Sequence, residues 1–284
     1  MQSVTKYFAL AGVCASLLVA GLTCDRSSEE GKPPGRAVGP SEPAVREEKQ
    51  SEQKQSASEQ RTKEGQTPAE FQERRPERLD MVKHQIKRRG VTKEGVLEAM
   101  RQVPRHLFVP QGQRNAAYAD NARPIGEGQT ISQPYIVAYM TEKLQLEPGD
   151  RVLEVGTGSG YQAAVLAELT SEVYTIEILE TLGRTARQRL DGLGYDQVKV
   201  KIGDGYFGWK EYAPFDAIIV TCAAGHVPPP LKEQLKKGGR MLIPVGGPFW
   251  TQRLMLITRN EEGDFESEDL LPVRFVPMTG EAQD

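Results

Sequence analysis

The chain has 284 residues, 38% of them hydrophobic, and a formal net charge of -3 at pH 7. This length is enough for one sizeable domain and further segments, and the near balance of charges gives no reason to expect a nucleic-acid partner. Its three cysteines are Cys14, Cys24 and Cys222. Only Cys222 falls in the part with a globular pattern, which excludes a disulfide framework.

The first 24 residues have the pattern of a signal peptide or lipoprotein leader. Lys6 precedes the apolar run FALAGVCASLLVAGL, as in proteins that are exported. Gly21-Leu22-Thr23-Cys24 indicates lipid attachment at Cys24, although lipoprotein signals usually carry Leu where Gly21 stands and Gly or Ala where Thr23 stands. We expect an exported protein, either periplasmic or anchored in the membrane by lipid at Cys24. The alternatives are an ordinary cleaved signal, an uncleaved anchor, and a leader without function in a cytoplasmic protein.

Residues 25–71 are predicted to form a disordered polar linker. The segment is rich in Glu, Lys, Ser, Gln, Pro and Gly, and Phe71 is its first aromatic residue. Such a composition buries too little apolar surface to offset the entropy lost when a chain becomes ordered. We therefore expect the linker to tether the leader to a folded domain at 72–284.

From residue 72 onward, apolar residues recur with the periods of helices and strands. Two amphipathic helices are predicted over 78–90 and 92–103, the second with Thr92 as its N-cap, and a third covers SQPYIVAYMTEKLQL. Five strand-like runs then alternate with helical segments: RVLEVG, EVYTIEI, VKVKIGD, FDAIIVTC and RMLIPVG. The helix before the last run is expected to expose the charges of KEQLKK and to end at Gly238-Gly239.

This alternation predicts βαβ units, and therefore an α/β, Rossmann-like fold with a mostly parallel, doubly wound sheet covered on both faces. The C-terminal runs RLMLITRN and FESEDLL are joined by the polar turn EEGD. Two strand-like runs joined by a short polar turn predict an antiparallel hairpin at the end of the sheet.

The stretch RVLEVGTGSGYQAAVLAEL predicts a buried strand, a glycine-rich turn and a helix. Gly156, Gly158 and Gly160 form the pattern GxGxG, which differs from the dinucleotide fingerprint GxGxxG. Glu154, at the end of the strand, would repel a pyrophosphate but attract the sulfonium and ammonium groups of S-adenosylmethionine. The glycines, with Thr157 between the first two, would let the backbone approach the amino-acid end of that cofactor.

Two further acids end the next two strands. Glu177 lies 21 residues after Gly156 and is placed to accept hydrogen bonds from ribose hydroxyls. Asp204, followed by Gly205, is placed to accept a hydrogen bond from the adenine amino group. Because the carboxyl ends of parallel strands share one edge of a sheet, three acids there favour a cationic adenosine cofactor. We infer that the cofactor is S-adenosylmethionine.

Four segments carry a more specific pattern than the glycine turn. They are PIGEGQTISQPYIVAYMTEKL at 124–144, VLEAMRQVPRHLFVP, VTCAAGHVPPPLKEQLKKGGRMLIPVG at 220–246, and VRFVPMTG at 273–280. Together they resemble the protein-L-isoaspartate (D-aspartate) O-methyltransferase family, and GQTISQP is the most specific of the motifs. The resemblance covers about residue 72 to the end and implies a Rossmann-like, class I S-adenosylmethionine-dependent methyltransferase fold.

Members of that family methylate the abnormal carboxylate of L-isoaspartyl residues in damaged proteins, and the ester then collapses to a succinimide whose hydrolysis returns some aspartate. By this resemblance, Ser132 is the active-site hydroxyl, and Thr130 and Ile131 lie beside it in the substrate pocket. The resemblance also implies that Val276 and Pro277 help to hold the substrate peptide. The expected partners are damaged proteins or peptides that contain isoaspartate.

A carboxylate is already ionised near neutral pH, so its methylation requires alignment rather than a general base. Ser132 is therefore expected to orient a substrate oxygen and not to act as a nucleophile. Three scattered histidines and one domain cysteine do not have the spacing of a metal site. The alternatives are a small-molecule O-methyltransferase on the same scaffold and a non-catalytic exported protein that binds S-adenosylmethionine. A monomer is the default expectation.

Overall fold

The computed structural model describes residues 69–247 and 250–280. The predicted leader at 1–24 and residues 25–68 of the predicted linker lie outside the described residues. The last three linker residues belong to the fold, because a short helix, α1, spans Ala69–Gln72 and buries Phe71. No helix within 69–247 or 250–280 is long and apolar enough to cross a membrane.

Helical segments precede and connect the strands. Beyond α1, the α-helices are α2 (Arg75–Met81), α3 (Glu94–Gln102), α4 (Pro134–Leu144), α5 (Tyr161–Ala167), α6 (Glu180–Gly192) and α7 (Pro229–Gln234). α2 continues through a π-helical turn at Val82–Ile86 and a 3₁₀ turn at Lys87–Arg89, so the predicted helix over 78–90 is present but begins earlier. Further 3₁₀ turns are Arg105–Phe108, Gln111–Ala116, Gly205–Phe207 and Lys210–Tyr212.

The strands form one large sheet and one small hairpin. They are β1 (Arg123–Gly126), β2 (Gln129–Ile131), β3 (Arg151–Val155), β4 (Glu172–Glu177), β5 (Lys199–Ile202), β6 (Phe215–Val220), β7 (Leu235–Val245), β8 (Gln252–Arg259) and β9 (Phe265–Val273). In the described residues the large sheet has the order β5-β4-β3-β6-β7-β8-β9. β3 to β7 pair in parallel, whereas β8 and β9 are antiparallel. The mostly parallel sheet and its C-terminal hairpin are therefore confirmed.

Alternate residues of the central strand β3 face two separate apolar cores. Val152 belongs to the core that includes residues of α3, α4, α5 and α6. Leu153 belongs to the core on the opposite face, with Leu231 of α7 and the rings of Trp209 and Tyr212. Because both faces of the sheet are covered, apolar residues of its central strands are buried on both sides, and the doubly wound arrangement is confirmed.

The start of α3 differs from the prediction. Lys93, not Thr92, is the N-cap residue, and its side chain makes no capping hydrogen bond. The backbone N–H groups of Thr92 and Lys93 donate instead to Oε1 of Glu142 in α4, at 2.6 and 2.7 Å. A carboxylate from a distant helix therefore satisfies N–H groups at the start of α3 that lack an intrahelical partner.

The helix predicted to end at Gly238-Gly239 is shorter than expected. α7 ends at Gln234, and β7 already begins at Leu235. The side chain of Gln234 is bound to a neighbouring loop: its Oε1 accepts a hydrogen bond from the backbone N–H of Trp209 at 2.7 Å, and its Nε2 donates to the carbonyl of Phe207 at 2.8 Å. Leu235 is then buried and pairs with Phe215 of β6.

An antiparallel hairpin of β1 and β2 stands where the sequence indicated only a loop. Its tight turn contains Glu127 and Gly128, which both have positive φ angles, of 51° and 70°. Such angles are readily adopted by glycine and uncommon for other residues. The hairpin leads directly into α4, so Ser132 and Gln133 form the turn between β2 and α4.

The parallel pairing of β6 with β7 contains an irregularity that requires a glycine. Between the pairs Phe215–Leu235 and Ala217–Arg240 the register shifts. A Cβ atom on Gly239 would lie 2.7 Å from the carbonyl oxygen of Lys236 and 3.0 Å from that of Asp216. Both neighbours are backbone atoms, so the strands themselves would have to move to accept a side chain.

We expect Gly239→Ala to lower the free energy of unfolding by about 1–3 kcal/mol, the range typical of overpacked interior sites. The matched control is Gly192→Ala at the end of α6, where an added Cβ meets no atom within 4 Å. Urea unfolding of the full chain measures both effects. Equal stability of the two variants would contradict the steric account of Gly239.

Candidate functional site

A cleft opens at the carboxyl ends of β3, β4 and β6 and encloses approximately 780 Å³ of empty space, its open mouth included. Most residues that the sequence predicted for a site line this cleft. They are Thr130, Ile131, Ser132, Glu154, Gly156, Thr157, Gly158, Glu177, Gly205, Val276 and Pro277. Of the predicted residues, Gly160 and Asp204 do not line it. The structure therefore brings together segments that are up to 147 residues apart in the chain, from Thr130 to Pro277.

The glycine turn after β3 is shaped by its surroundings. Gly156 has a φ of 99°, and a Cβ atom there would lie 2.6 Å from Oγ1 of Thr221. That hydroxyl donates a hydrogen bond to the carbonyl of Gly156 at 2.7 Å. The backbone N–H groups of Gly156 and Thr157 donate to the carbonyl of Ile176, at 2.9 and 3.2 Å. The turn is thus held on two sides and leaves no room for a side chain at Gly156.

Glu177 braces the same turn from β4. Its Oε2 accepts a hydrogen bond from the backbone N–H of Gly158 at 2.7 Å, and its Oε1 accepts one from the N–H of Leu179 at 3.0 Å. The residue is 6% exposed and lines the cleft. Each carboxylate oxygen can accept a further hydrogen bond, so bracing the turn leaves the carboxylate able to bind hydroxyl groups of a ligand.

Glu154 is fully buried beneath the turn and carries an unusual protonation equilibrium. Burial is the main reason that its pKa is raised to about 8, and the nearby charge of Glu177 also raises it. The hydrogen bond from Thr175 acts in the opposite direction. Oγ1 of Thr175 donates to Oε2 of Glu154 at 2.6 Å and lies 2.7 Å from Oγ1 of Thr157. Oε1 of Glu154 is buried and has no hydrogen-bond partner in the described part of the chain. The carboxyl group therefore favours a cationic or hydrogen-donating ligand.

Asp204 has a structural role that the sequence did not indicate. Its Oδ1 accepts a hydrogen bond from the backbone N–H of Tyr206 at 2.9 Å and so caps the 3₁₀ turn that begins at Gly205. Its Oδ2 is buried without a partner among the described residues, and Gly280 covers it so closely that an added Cβ would lie 2.2 Å away. The adenine contact expected of Asp204 stays a prediction, whereas Gly205 does line the cleft.

Gly160 acts beneath the cleft. It is the N-cap residue of α5 and has a φ of 88°. A Cβ atom there would lie 3.3 Å from the side chain of Leu190 in α6. The third glycine of the motif therefore allows the turn to enter α5 and pack closely against a neighbouring helix, while Gly156 and Gly158 contribute to the lining.

A second, open groove adjoins the cleft and contains approximately 940 Å³ of empty space. Four residues line both depressions: Thr130, Ser132, Thr221 and Val276. The groove continues past Asp120, Asn121, Gln133, Thr251, Arg274 and Phe275. Ser132 thus stands where the cleft meets the groove.

Several residues of the site were missed by sequence reasoning. Thr221 directly follows β6, at the same edge of the sheet as the predicted acids, and its position after a buried strand was the available signal. Thr175 lies inside β4, and Tyr161 opens α5, so neither stands out in the sequence. Cys222 also lines the cleft, and burial together with the nearby carboxylates raises the pKa of its thiol to about 12. The thiol is therefore neutral near pH 7.

Within 69–247 and 250–280, no group of three or more His, Cys, Asp or Glu side chains is arranged to hold a metal ion. His226 is exposed, and its Nε2 lies 3.1 Å from the hydroxyl of Tyr206. The two acids of the cleft are separately occupied, Glu154 by Thr175 and Glu177 by backbone N–H groups, and Asp204 outside the cleft caps a 3₁₀ turn. The chemistry of the described site therefore depends on carboxylates, hydroxyls and backbone groups.

The raised pKa of Glu154 predicts how the stability of the ligand-free protein changes with pH. Between the usual value of 4.5 and about 8, the folded state binds more protons than the unfolded state, so the free energy of unfolding falls as pH rises. Glu154→Gln removes this titration. We expect the wild type to lose stability relative to the variant by at most about 1.4 kcal/mol per pH unit in that interval. Urea unfolding across the interval measures it, and parallel pH profiles would contradict a raised pKa.

Comparison with known proteins agrees with this geometry. Residues 77–283 match the family described as protein-L-isoaspartate(D-aspartate) O-methyltransferase (PCMT). A curated relative from Polaromonas sp., named protein-L-isoaspartate O-methyltransferase 2, is 61% identical over 188 residues, which cover 66% of this chain and 89% of that protein. A relative of the same name from Syntrophobacter fumaroxidans is 62% identical over 185 residues, which cover 65% and 75% of the two chains.

Solved structures with the same fold include a Plasmodium falciparum protein assigned to this family and crystallised with S-adenosyl-L-homocysteine. It superposes with a TM-score of 0.63 at 27% identity and covers 71% of this chain and 98% of its own. Another, named protein-L-isoaspartate O-methyltransferase, has a TM-score of 0.62 at 28% identity and covers 72% and 66% of the two chains. The match at 77–283 confirms the resemblance found in the sequence. This chain belongs to the protein-L-isoaspartate(D-aspartate) O-methyltransferase family.

Proposed function

We propose that this protein transfers a methyl group from S-adenosylmethionine to the free carboxylate of L-isoaspartyl residues in damaged proteins, which initiates their repair through a succinimide. Family membership supports this activity, and so do the names of relatives that are more than 60% identical over about two thirds of the chain. The observation that carries the proposal is the position of Ser132, which lines both the enclosed cleft and the open groove. A donor in one and a protein segment in the other would meet at this hydroxyl.

The residues of the enclosed cleft fit S-adenosylmethionine. Oε1 of Glu154, a buried carboxylate atom of this cleft, lacks a partner among the described residues, and a ligand that carries positive charge and N–H donors suits such an acceptor. The groups of the cleft that would hold it lie at or after the ends of three parallel strands: Glu154, Gly156, Thr157, Gly158, Glu177 and Gly205. Gly160 and Asp204, which do not line the cleft, would act by shaping the turns that carry these residues. When bound, S-adenosylmethionine supplies an electrophilic methyl group on its sulfonium.

The acceptor carboxylate has to be oriented by the protein, and its reaction requires little acid–base chemistry. An isoaspartyl carboxylate is ionised near neutral pH, so no residue has to remove a proton before the carboxylate reacts. We assign to Ser132 the role of donating a hydrogen bond that fixes one carboxylate oxygen, with Thr130 and Ile131 beside it. Fixing the reacting groups in this way lowers the barrier by proximity.

The residues that line the groove suit a protein substrate. It is an open depression of approximately 940 Å³, and its lining includes Gln133, Arg274 and Phe275. Polar side chains and an aromatic ring along an open groove suit the backbone and side chains of an extended peptide. Val276 lines both the groove and the cleft, and Pro277 lines the cleft next to it. The two residues would hold the residue to be methylated.

The test uses the full chain, S-adenosylmethionine labelled in its methyl group, and paired peptides that differ only in isoaspartate or aspartate at one position. We expect a base-labile methyl ester on the isoaspartyl peptide alone. Ser132→Ala should lower kcat/KM by about 10- to 100-fold, the loss expected for one hydrogen bond to a charged group. The matched control is Ser267→Ala, because Ser267 is exposed in β9 and lines neither the cleft nor the groove.

Two results would reject this function. Transfer to a small carboxylic acid in preference to the peptide would identify a small-molecule methyltransferase. Measurable binding of S-adenosylmethionine without transfer to either peptide would identify a non-catalytic binding protein. Full activity of Ser132→Ala on the isoaspartyl peptide would retain the function but reject the role assigned to the serine.

We also propose that the protein is exported, on the basis of the leader pattern at 1–24. A monomer stays the default prediction. Fractionation of cells that produce the wild type or Cys24→Ala tests the location. A wild type in the membrane fraction and a released Cys24→Ala variant would indicate a lipid anchor, whereas periplasmic recovery of both would indicate a cleaved signal. Recovery of both in the cytoplasm would contradict export.

A further inference from the structure

Arg105 is a buried cation placed directly behind the proposed acceptor serine. It opens the 3₁₀ turn Arg105–Phe108 and is 0% exposed. Its Nη2 donates to the carbonyl of Ser132 at 2.7 Å, and its Nε donates to the carbonyl of Ala117 at 2.8 Å. One planar guanidinium therefore connects the loop at Ala117 to the segment at Ser132.

The same guanidinium also reaches the cofactor side of the site. Its Cζ lies 4.9 Å from the ring centroid of Tyr161, a distance typical of a cation–π contact. Tyr161 is the first residue of α5, directly after the glycine turn, and lines the enclosed cleft. Arg105 thus joins the turn that carries Ser132 to the helix that follows the glycine turn.

The charge of Arg105 has no counter-ion in the described part of the chain, since no ion pair there includes it. The ionisable groups that act on it are the phenols of Tyr161 and Tyr118 and the guanidinium of Arg123, and burial lowers its pKa to about 10. It therefore stays protonated near pH 7. Removing a charged group from water is costly, and the hydrogen bonds to two carbonyl oxygens and the contact with an aromatic ring offset part of that cost.

We propose that Arg105 is a positioning residue, which holds the backbone of Ser132 at a fixed place relative to the glycine turn. The serine hydroxyl can then orient the acceptor carboxylate toward the methyl group of S-adenosylmethionine. This inference rests on the function proposed above. A guanidinium suits the task because it donates in fixed directions from one plane and stacks on an aromatic ring, neither of which an ammonium reproduces.

Arg78 offers an internal control. It is 1% exposed and donates to the backbone carbonyls of Phe71 and Arg101, at 2.6 and 2.5 Å. Like Arg105, it has a buried Nη1 atom without a partner in the described residues. Its carbonyl partners lie in the N-terminal helices and not in the site. Arg78 therefore reports the general effect of disturbing a buried guanidinium in this protein.

The experiment compares Arg105→Lys with Arg78→Lys in the full chain. We expect Arg105→Lys to lower kcat on the isoaspartyl peptide by about 10- to 100-fold, as misplacement of reacting groups does, and to change the dissociation constant of S-adenosylmethionine by less than about threefold. Arg78→Lys should lose comparable stability and retain its kcat. Equal kcat for the two variants would overturn the proposal.

A double-mutant cycle separates positioning of Ser132 from a general loss of structure. If Arg105 acts through the serine hydroxyl, Arg105→Lys should reduce kcat much less in a Ser132→Ala background than in the wild type. Additive effects would overturn the proposal. If Arg105→Lys does not fold because an ammonium is buried, the neutral variant Arg105→Gln replaces it in the same cycle.

Hydrogen exchange provides a readout that does not depend on activity. Amide exchange over residues 129–136 should accelerate in Arg105→Lys and stay unchanged in Arg78→Lys. If the wild type methylates no peptide, the proposed function fails, and this measurement still decides whether Arg105 fixes the Ser132 turn. Unchanged exchange over 129–136 in Arg105→Lys would overturn the positioning role independently of the reaction.

Discussion

The tight turn after β3 is the constraint on which the site depends. It requires a glycine at position 156, because the hydroxyl of Thr221 occupies the space that a side chain would need and bonds to the same residue. Glu177 then holds the N–H of Gly158, and Gly160 leads the chain into α5. The turn therefore determines where α5 begins, and with it the position of Tyr161. The residues proposed to hold the cofactor and those proposed to hold the acceptor are both positioned relative to this turn.

Charges are distributed unevenly around the site. On the cofactor side, the carboxyl groups of Glu154 and Glu177 are buried against the glycine turn. Burial and the nearby charge of Glu177 both raise the pKa of Glu154, against the hydrogen bond from Thr175. Behind the acceptor side lies the guanidinium of Arg105, which bonds to backbone carbonyls rather than to acids. An electrophilic cation is thus favoured next to the acids, and an anionic acceptor is favoured on the side of the buried cation.

The sequence predicted the parts of the molecule that are encoded locally. Alternating strands and helices gave the parallel sheet, and the acids at strand ends gave two residues of the cleft, Glu154 and Glu177. The errors lie where distant residues intervene: Glu142 binds the N–H groups before α3, and Leu235 pairs with Phe215 of β6 directly after α7. No local pattern reports such contacts, because each partner is ordinary in its own segment.

The same reasoning explains why Ser132 could be found from its motif while the groups that orient it could not. Its own segment, GQTISQP, is distinctive, but the turn that carries it is held by a side chain 27 residues earlier in the chain, through a backbone carbonyl that has no sequence signature. A reaction whose acceptor is already ionised depends mainly on alignment. Alignment is supplied by carbonyl oxygens, ring faces and buried donors, and these become visible only when the chain is folded.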